Sequence, residues 1–182
     1  PWGRAVSISP VLRQWQQTPP GMSGLTRTVT ASHPPDHPPH DVIVHVRDSF
    51  ARQALMGHLG AEMTEIRRGF CVVRTSYAPE LTQQHGFFHA GVTSSLVDTA
   101  GGYAALSTFD PSDSVLTVDF TVNLLAPAEG DELVAEGTVI KSGRTLAVCQ
   151  LEAYTTHDGR RRHVATGRQT LIRLAERSDQ PR

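Results

Sequence analysis

Residues 83–106 read QQHGFFHAGVTSSLVDTAGGYAAL, from Gln83 to Leu106. The stretch holds no proline, and its only formally charged residue is Asp98. From Ala90 onward it is long enough for a helix of about four to five turns. Val92, Leu96, Thr99, Tyr103 and Leu106 recur at the spacing of one packed helical face. The opposite face carries Gly91, Ser94, Ser95, Asp98, Gly101, Gly102 and Ala105, all small residues apart from the one carboxylate. Two adjacent glycines inside a helix cost about 1 kcal/mol each relative to alanine. Close approach of a backbone or a ligand is the usual compensation. A carboxylate on a covered helix has either a local partner or a purpose.

Outward from this helix the pattern changes to period two. Residues 63–77 alternate as one strand, and 115–125, 133–140, 145–155 and 164–174 read as four more. Asp110-Pro111-Ser112-Asp113, Glu129-Gly130-Asp131, Ser142-Gly143 and His157-Asp158-Gly159-Arg160 supply the turns. A short helix capped by Asp48 or Ser49 is expected through about Leu59. Short turns between successive strands imply an antiparallel sheet with the long helix packed on it, an α+β fold.

The chain has 182 residues and a net charge of −1. That length fits one domain with extensions. The charge offers no basic surface for nucleic acid, and no apolar run is long enough to span a membrane. Residues 1–44 are expected to be a disordered extension: prolines 10, 19, 20, 34, 35, 38 and 39 interrupt a stretch poor in aliphatic residues. Its acid-poor start also resembles a transit segment weakly, with Met22 as an alternative beginning. The domain is expected over 45–175, followed by a polar tail at 176–182. His33, His37 and His40 are separated by prolines and cannot share a helical face, so no metal site is expected there. Cys71 and Cys149 lie in apolar alternating runs and read as buried free thiols, which fits a reducing, cytoplasmic location.

Several chemistries fail on spacing. Thr93-Ser94-Ser95 lacks the flanking glycines of a serine elbow. His85 and His89 are four apart, but Gly86 stands where a zinc protease has its glutamate. Neither cysteine has a basic or helix-start neighbourhood that would activate it. Asp98 and the helix start are left. The N–H groups of Ala90 and Gly91 lack intrahelical partners and carry partial positive charge, which suits a developing oxyanion. Eight residues of helix separate them from Asp98, about 12 Å. A site shared across a dimer, with Asp98 from one subunit and Ala90 and Gly91 from the other, resolves that distance.

Gln83-x5-His89-Ala90-Gly91-x6-Asp98 resembles the signature of hotdog-fold acyl-CoA thioesterases of the phenylacetate-degradation type, within the 4-hydroxybenzoyl-CoA thioesterase superfamily. Residues 116–128 resemble the strand that follows the central helix in that family, and 141–146 its hairpin. The resemblance covers roughly residues 45–174. It implies a curved sheet wrapped around the central helix, an interfacial site, and dimers or tetramers. It implies hydrolysis of an acyl-CoA thioester to an acid and free CoA, without metal or redox cofactor. Asp98 would be general base or nucleophile. Gln83 would orient the water or the carbonyl; many relatives have asparagine there. His89 would fix the loop or act directly, and Thr117 matches a hydroxyl near the carboxylate. Ala90 stands where relatives often have glycine, with its N–H unaffected. Lys141, Gly143 and Arg144 would meet the CoA phosphates, and Arg160, Arg161 and Arg162 form a second basic cluster. A hotdog hydratase or dehydratase using His85 with Asp98, and a non-enzymatic acyl-CoA-binding module, are the alternatives.

Overall fold

In the computed structural model, which describes residues 39–177, the small-and-apolar run becomes helix α3, Ala90–Leu106. Its apolar face is packed as the spacing predicts: Val92, Leu96, Thr99, Tyr103 and Leu106 are all buried. Each buried leucine contributes about 1.5–3 kcal/mol relative to an exposed one. On the opposite face Gly91 is exposed, and Ser94, Ser95, Asp98 and Gly102 are half-buried. Gly101 and Ala105 are instead buried.

Six antiparallel strands form one open sheet in the order β1-β2-β4-β5-β6-β3. They are β1 (Glu62–Arg67), β2 (Phe70–Ser76), β3 (Ser114–Leu124), β4 (Glu132–Ser142), β5 (Leu146–His157) and β6 (Arg160–Leu174). The helix and this sheet give the α+β hotdog arrangement. Along β5, Ala147, Cys149, Leu151, Ala153 and Thr155 point inward and are buried, while the intervening residues are half-buried. On β4, Gly137 lets the sheet approach the helix closely. A Cβ there would lie 2.5 Å from the Ala100 carbonyl and the Gly101 nitrogen. Four irregularities, between Met63 and Glu65, Thr117 and Asp119, Val139 and Lys141, and Ala153 and Tyr154, break the register. Such bulges bend and twist a strand.

Three expectations are corrected. The strand expected over 63–77 is a hairpin, β1 and β2, turned at Arg68 and Gly69, with Gly69 at φ +74°. The alternation runs through the turn because only two residues interrupt it. The helix expected from Asp48 is two helices, α1 (His40–Ala51) and α2 (Ala54–His58). Residues 40–44 therefore belong to α1 and not to the extension; the Pro39 carbonyl accepts from Val42 and Ile43 N–H, and Val42 and Val46 are buried. The rest of the expected extension, residues 1–38 with His33 and His37, lies outside the described residues, as does the tail beyond Arg177. The third correction is Gly101, which faces the sheet.

At the far end of α3, the side chain of Asp113, 1% exposed, receives Arg173 Nε at 2.7 Å and Nη2 at 2.6 Å. This joins the turn after α3 to the end of β6. No helix among the described residues is long and apolar enough to cross a membrane.

Candidate active site

The start of α3 is held by its loop. His89 N–H donates to the Leu81 carbonyl at 2.8 Å and Phe88 N–H to the Ala128 carbonyl at 2.9 Å. His89 is the N-cap residue, with φ −62° and ψ 140°, and its Nδ1 accepts the Gly91 N–H at 2.9 Å. The imidazole therefore satisfies one of the two donors expected at the helix start. The Ala90 N–H donates to no acceptor among the described residues. A Cβ on Gly91 would sit 3.0 Å from His89 Nδ1, so the small residue here accommodates the capping ring. Gln83 is used locally as well: its side-chain oxygen accepts the His85 N–H, and its carbonyl accepts the Gly86 N–H at 2.9 Å. Gln83 and Ala90 line a cleft of about 500 Å³ with Phe87, Thr93, Leu124 and Pro127.

Asp98 opens into a different cleft, of about 540 Å³, with Thr117, Gly102, Tyr103, Leu116 and Leu171 on its walls. Thr117 Oγ1 donates to Asp98 Oδ1 at 2.9 Å. The hydroxyl matched by resemblance thus meets the carboxylate. A third residue joins them: Gln169 Nε2 donates to Asp98 Oδ1 at 2.7 Å and to Thr117 Oγ1 at 2.9 Å. Both bonds go to Oδ1, while Oδ2 has no partner among the described residues. Sequence reasoning missed Gln169. The signal was its place in the inward series Ala165, Gly167, Gln169, Leu171 on β6, where a polar side chain needs a reason.

One chain does not bring all the expected residues together. Asp98 and Thr117 share one cleft; Gln83 and Ala90 share another; His89 and Gly91 line a third depression with Leu55 and Glu80. Lys141, Gly143 and Arg144 are exposed at the β4–β5 turn, where Gly143 N–H donates to the Leu146 carbonyl at 2.8 Å. The hairpin is docked on the end of α3 by Ser142 Oγ, 3.0 Å from Thr108 Oγ1. Arg161, in the second basic cluster, pairs with Glu136 at 2.7 Å and lies over the Tyr154 ring.

The cysteines are buried and free. Burial pushes the Cys149 thiol up to about 12 and the Cys71 thiol higher still. Neither forms a thiolate near neutrality, which removes both as nucleophiles.

Comparisons with known proteins agree with this fold. The thioesterase superfamily model matches residues 85–161, from the loop before α3 into β6. A Halobacterium salinarum protein named for esterase activity is 34% identical over 122 residues, covering 63% of this chain and 80% of that one. A thioesterase family protein from Silicibacter pomeroyi superposes with a TM-score of 0.72 at 46% identity, covering 73% of this chain and 98% of that one. The E. coli PaaI protein, from the phenylacetic acid degradation operon, gives a TM-score of 0.67 at 25% identity, covering 75% and 95%. With its central helix, its wrapped sheet and a carboxylate facing a cleft, the chain belongs to the thioesterase superfamily and is a thioester hydrolase of the hotdog fold.

Proposed function

We propose that this protein hydrolyses acyl-CoA thioesters at a site assembled from two subunits, with Asp98 of one and the α3 start of the other. The observation that carries this reading is Asp98 itself. It is half-buried, anchored through Oδ1 by Thr117 and Gln169, and has Oδ2 left over for water. A carboxylate held by one oxygen and open at the other is arranged to accept a proton.

In the base mechanism a water in the cleft gives its proton to Asp98 Oδ2. The resulting hydroxide attacks the thioester carbonyl carbon, and the oxygen becomes an oxyanion. The Ala90 N–H of the partner subunit, at the positive end of its helix, receives that charge. The intermediate then expels the CoA thiolate by C–S cleavage, and Asp98 returns the proton to sulfur. In the nucleophile variant, Asp98 attacks first, CoA leaves, and water hydrolyses the mixed anhydride. Gln83, beside Ala90, orients the carbonyl or the water. His89 acts by capping the helix.

The acyl-CoA class is supported by relatives. A mouse protein named acyl-coenzyme A thioesterase 13 is 31% identical over 90 residues, covering 49% of this chain and 62% of that one. Lys141 and Arg144, exposed on their hairpin, are suited to CoA phosphates. Assembly is supported by β3, an edge strand exposing Leu116, Val118, Phe120 and Leu124. Long apolar edges of this kind are normally covered. A homodimer or a dimer of dimers follows.

Asp98→Asn keeps the shape and removes the proton acceptor. Thiol release from an acyl-CoA panel is expected to fall at least about a hundredfold, with the oligomer intact. Near-normal turnover in Asp98→Asn would refute the mechanism.

A further inference from the structure

Gln169 has no surface at all, being 0% exposed, and it is not among the residues lining the Asp98 cleft. It therefore touches no substrate. Yet its amide nitrogen is surrounded by acceptors: Asp98 Oδ1 at 2.7 Å, Thr117 Oγ1 at 2.9 Å and the Asp98 carbonyl at 3.1 Å. Its own oxygen is buried with no hydrogen-bond partner among the described residues. A buried acceptor left unpaired is destabilising.

Gly101 is involved too. A Cβ on it would collide with Gln169 Oε1 and lie 2.5 Å from Leu151 Cδ2. The helix thus carries a glycine, a poorer helix former than alanine, where the buried amide needs room. The other buried inward positions on β6 are Ala165, Gly167 and Leu171, none of which buries a polar side chain. An ordinary packing residue here would be apolar.

We propose that Gln169 is a positioning residue for the hydrolytic carboxylate, resting on the reading of Asp98 above. Its Nε2 holds Oδ1 back toward β6, so that Oδ2 is the oxygen presented to the cleft. Because Gln169 also donates to Thr117 Oγ1, that hydroxyl accepts from the amide and directs its single proton to Asp98. The three side chains form one directed network, in which losing the amide frees both partners to rotate.

The test is a double-mutant cycle read by kinetics. Gln169→Met is close in volume and removes the donor. It is expected to lower kcat about 10–100-fold, the range for a displaced catalytic group, with KM unchanged because Gln169 does not contact substrate. In the Asp98→Asn background the same substitution is expected to have no further effect, since nothing remains to be positioned. Gln169→Leu also removes the amide without introducing a new donor or a buried charge. It is expected to lower kcat in the same way as Gln169→Met, and it carries the cycle should Gln169→Met fail to assemble. A folded Gln169→Met or Gln169→Leu enzyme with wild-type kcat would overturn the proposal. So would a loss that multiplies in full with that of Asp98→Asn, which is the signature of a merely structural role. If Asp98→Asn alone keeps wild-type turnover, the reading of Asp98 fails first and separately, and the positioning role fails with it.

Discussion

In the proposed site, Asp98 and Ala90 are two different kinds of position. Asp98 depends on its side chain and on the residues that aim it. Ala90 would act through a backbone N–H that no group among the described residues uses. The cap geometry offers a direct way to remove that N–H. Proline is favoured at the first position of a helix, and it requires an extended residue before it. His89, at φ −62° and ψ 140°, is already extended. Ala90→Pro is therefore expected to fold and to keep its melting temperature within a few degrees. Loss of one oxyanion donor costs about 2.7–4 kcal/mol in the barrier, or roughly 10²–10³ in kcat. Wild-type turnover in a folded Ala90→Pro enzyme would remove the helix start from the mechanism. At this scale the sequence was informative where a residue type was unusual for its surroundings. A lone carboxylate on a small-residue face drew attention to Asp98. Gln169 did not stand out because glutamine in a strand reads as an outward residue until the register is known. The competition between His89 and a ligand for the Gly91 N–H was hidden too, since a ring position is not a property of spacing.

The elements owe their legibility to length. Helix α3 and strands β3 to β6 are each long enough for a period to be counted, and turn residues separate them. The β1–β2 hairpin was not legible because a two-residue turn leaves the alternation continuous across it. Helix α1 was masked by the prolines before it, although Pro39 ends up supplying the first acceptors of the helix. Gly137 shows what pattern cannot reveal: its importance comes from the Ala100 carbonyl, 37 residues away in the chain. Gly137→Ala would place a methyl group 2.5 Å from that carbonyl. Overpacking of this sort costs about 1–3 kcal/mol, and about 2–4 °C of melting temperature per kcal/mol in a chain of this size. Calorimetry on the purified variant checks it. An unchanged melting temperature would mean that the helix–sheet contact is looser than the structure has it.

For the whole molecule, what matters is what one chain leaves unfinished. Among the described residues its sheet ends at β3 with exposed apolar side chains, and the two halves of the proposed site open into separate clefts. Neither feature is visible in a linear pattern, but the eight-residue gap between Ala90 and Asp98 was, and it implies the same incompleteness. If Asp98 of one subunit works with Ala90 of its partner, as proposed, subunit complementation reveals it. Asp98→Asn and Ala90→Pro, each inactive alone, are co-expressed and the mixed oligomers assayed for thiol release. In a mixed dimer one site collects both substitutions and the other collects none. Random pairing then restores about a quarter of wild-type activity, because half the dimers are mixed and each has one intact site. Activity that stays at the level of the separate variants, in oligomers shown to be mixed, would contradict the shared site.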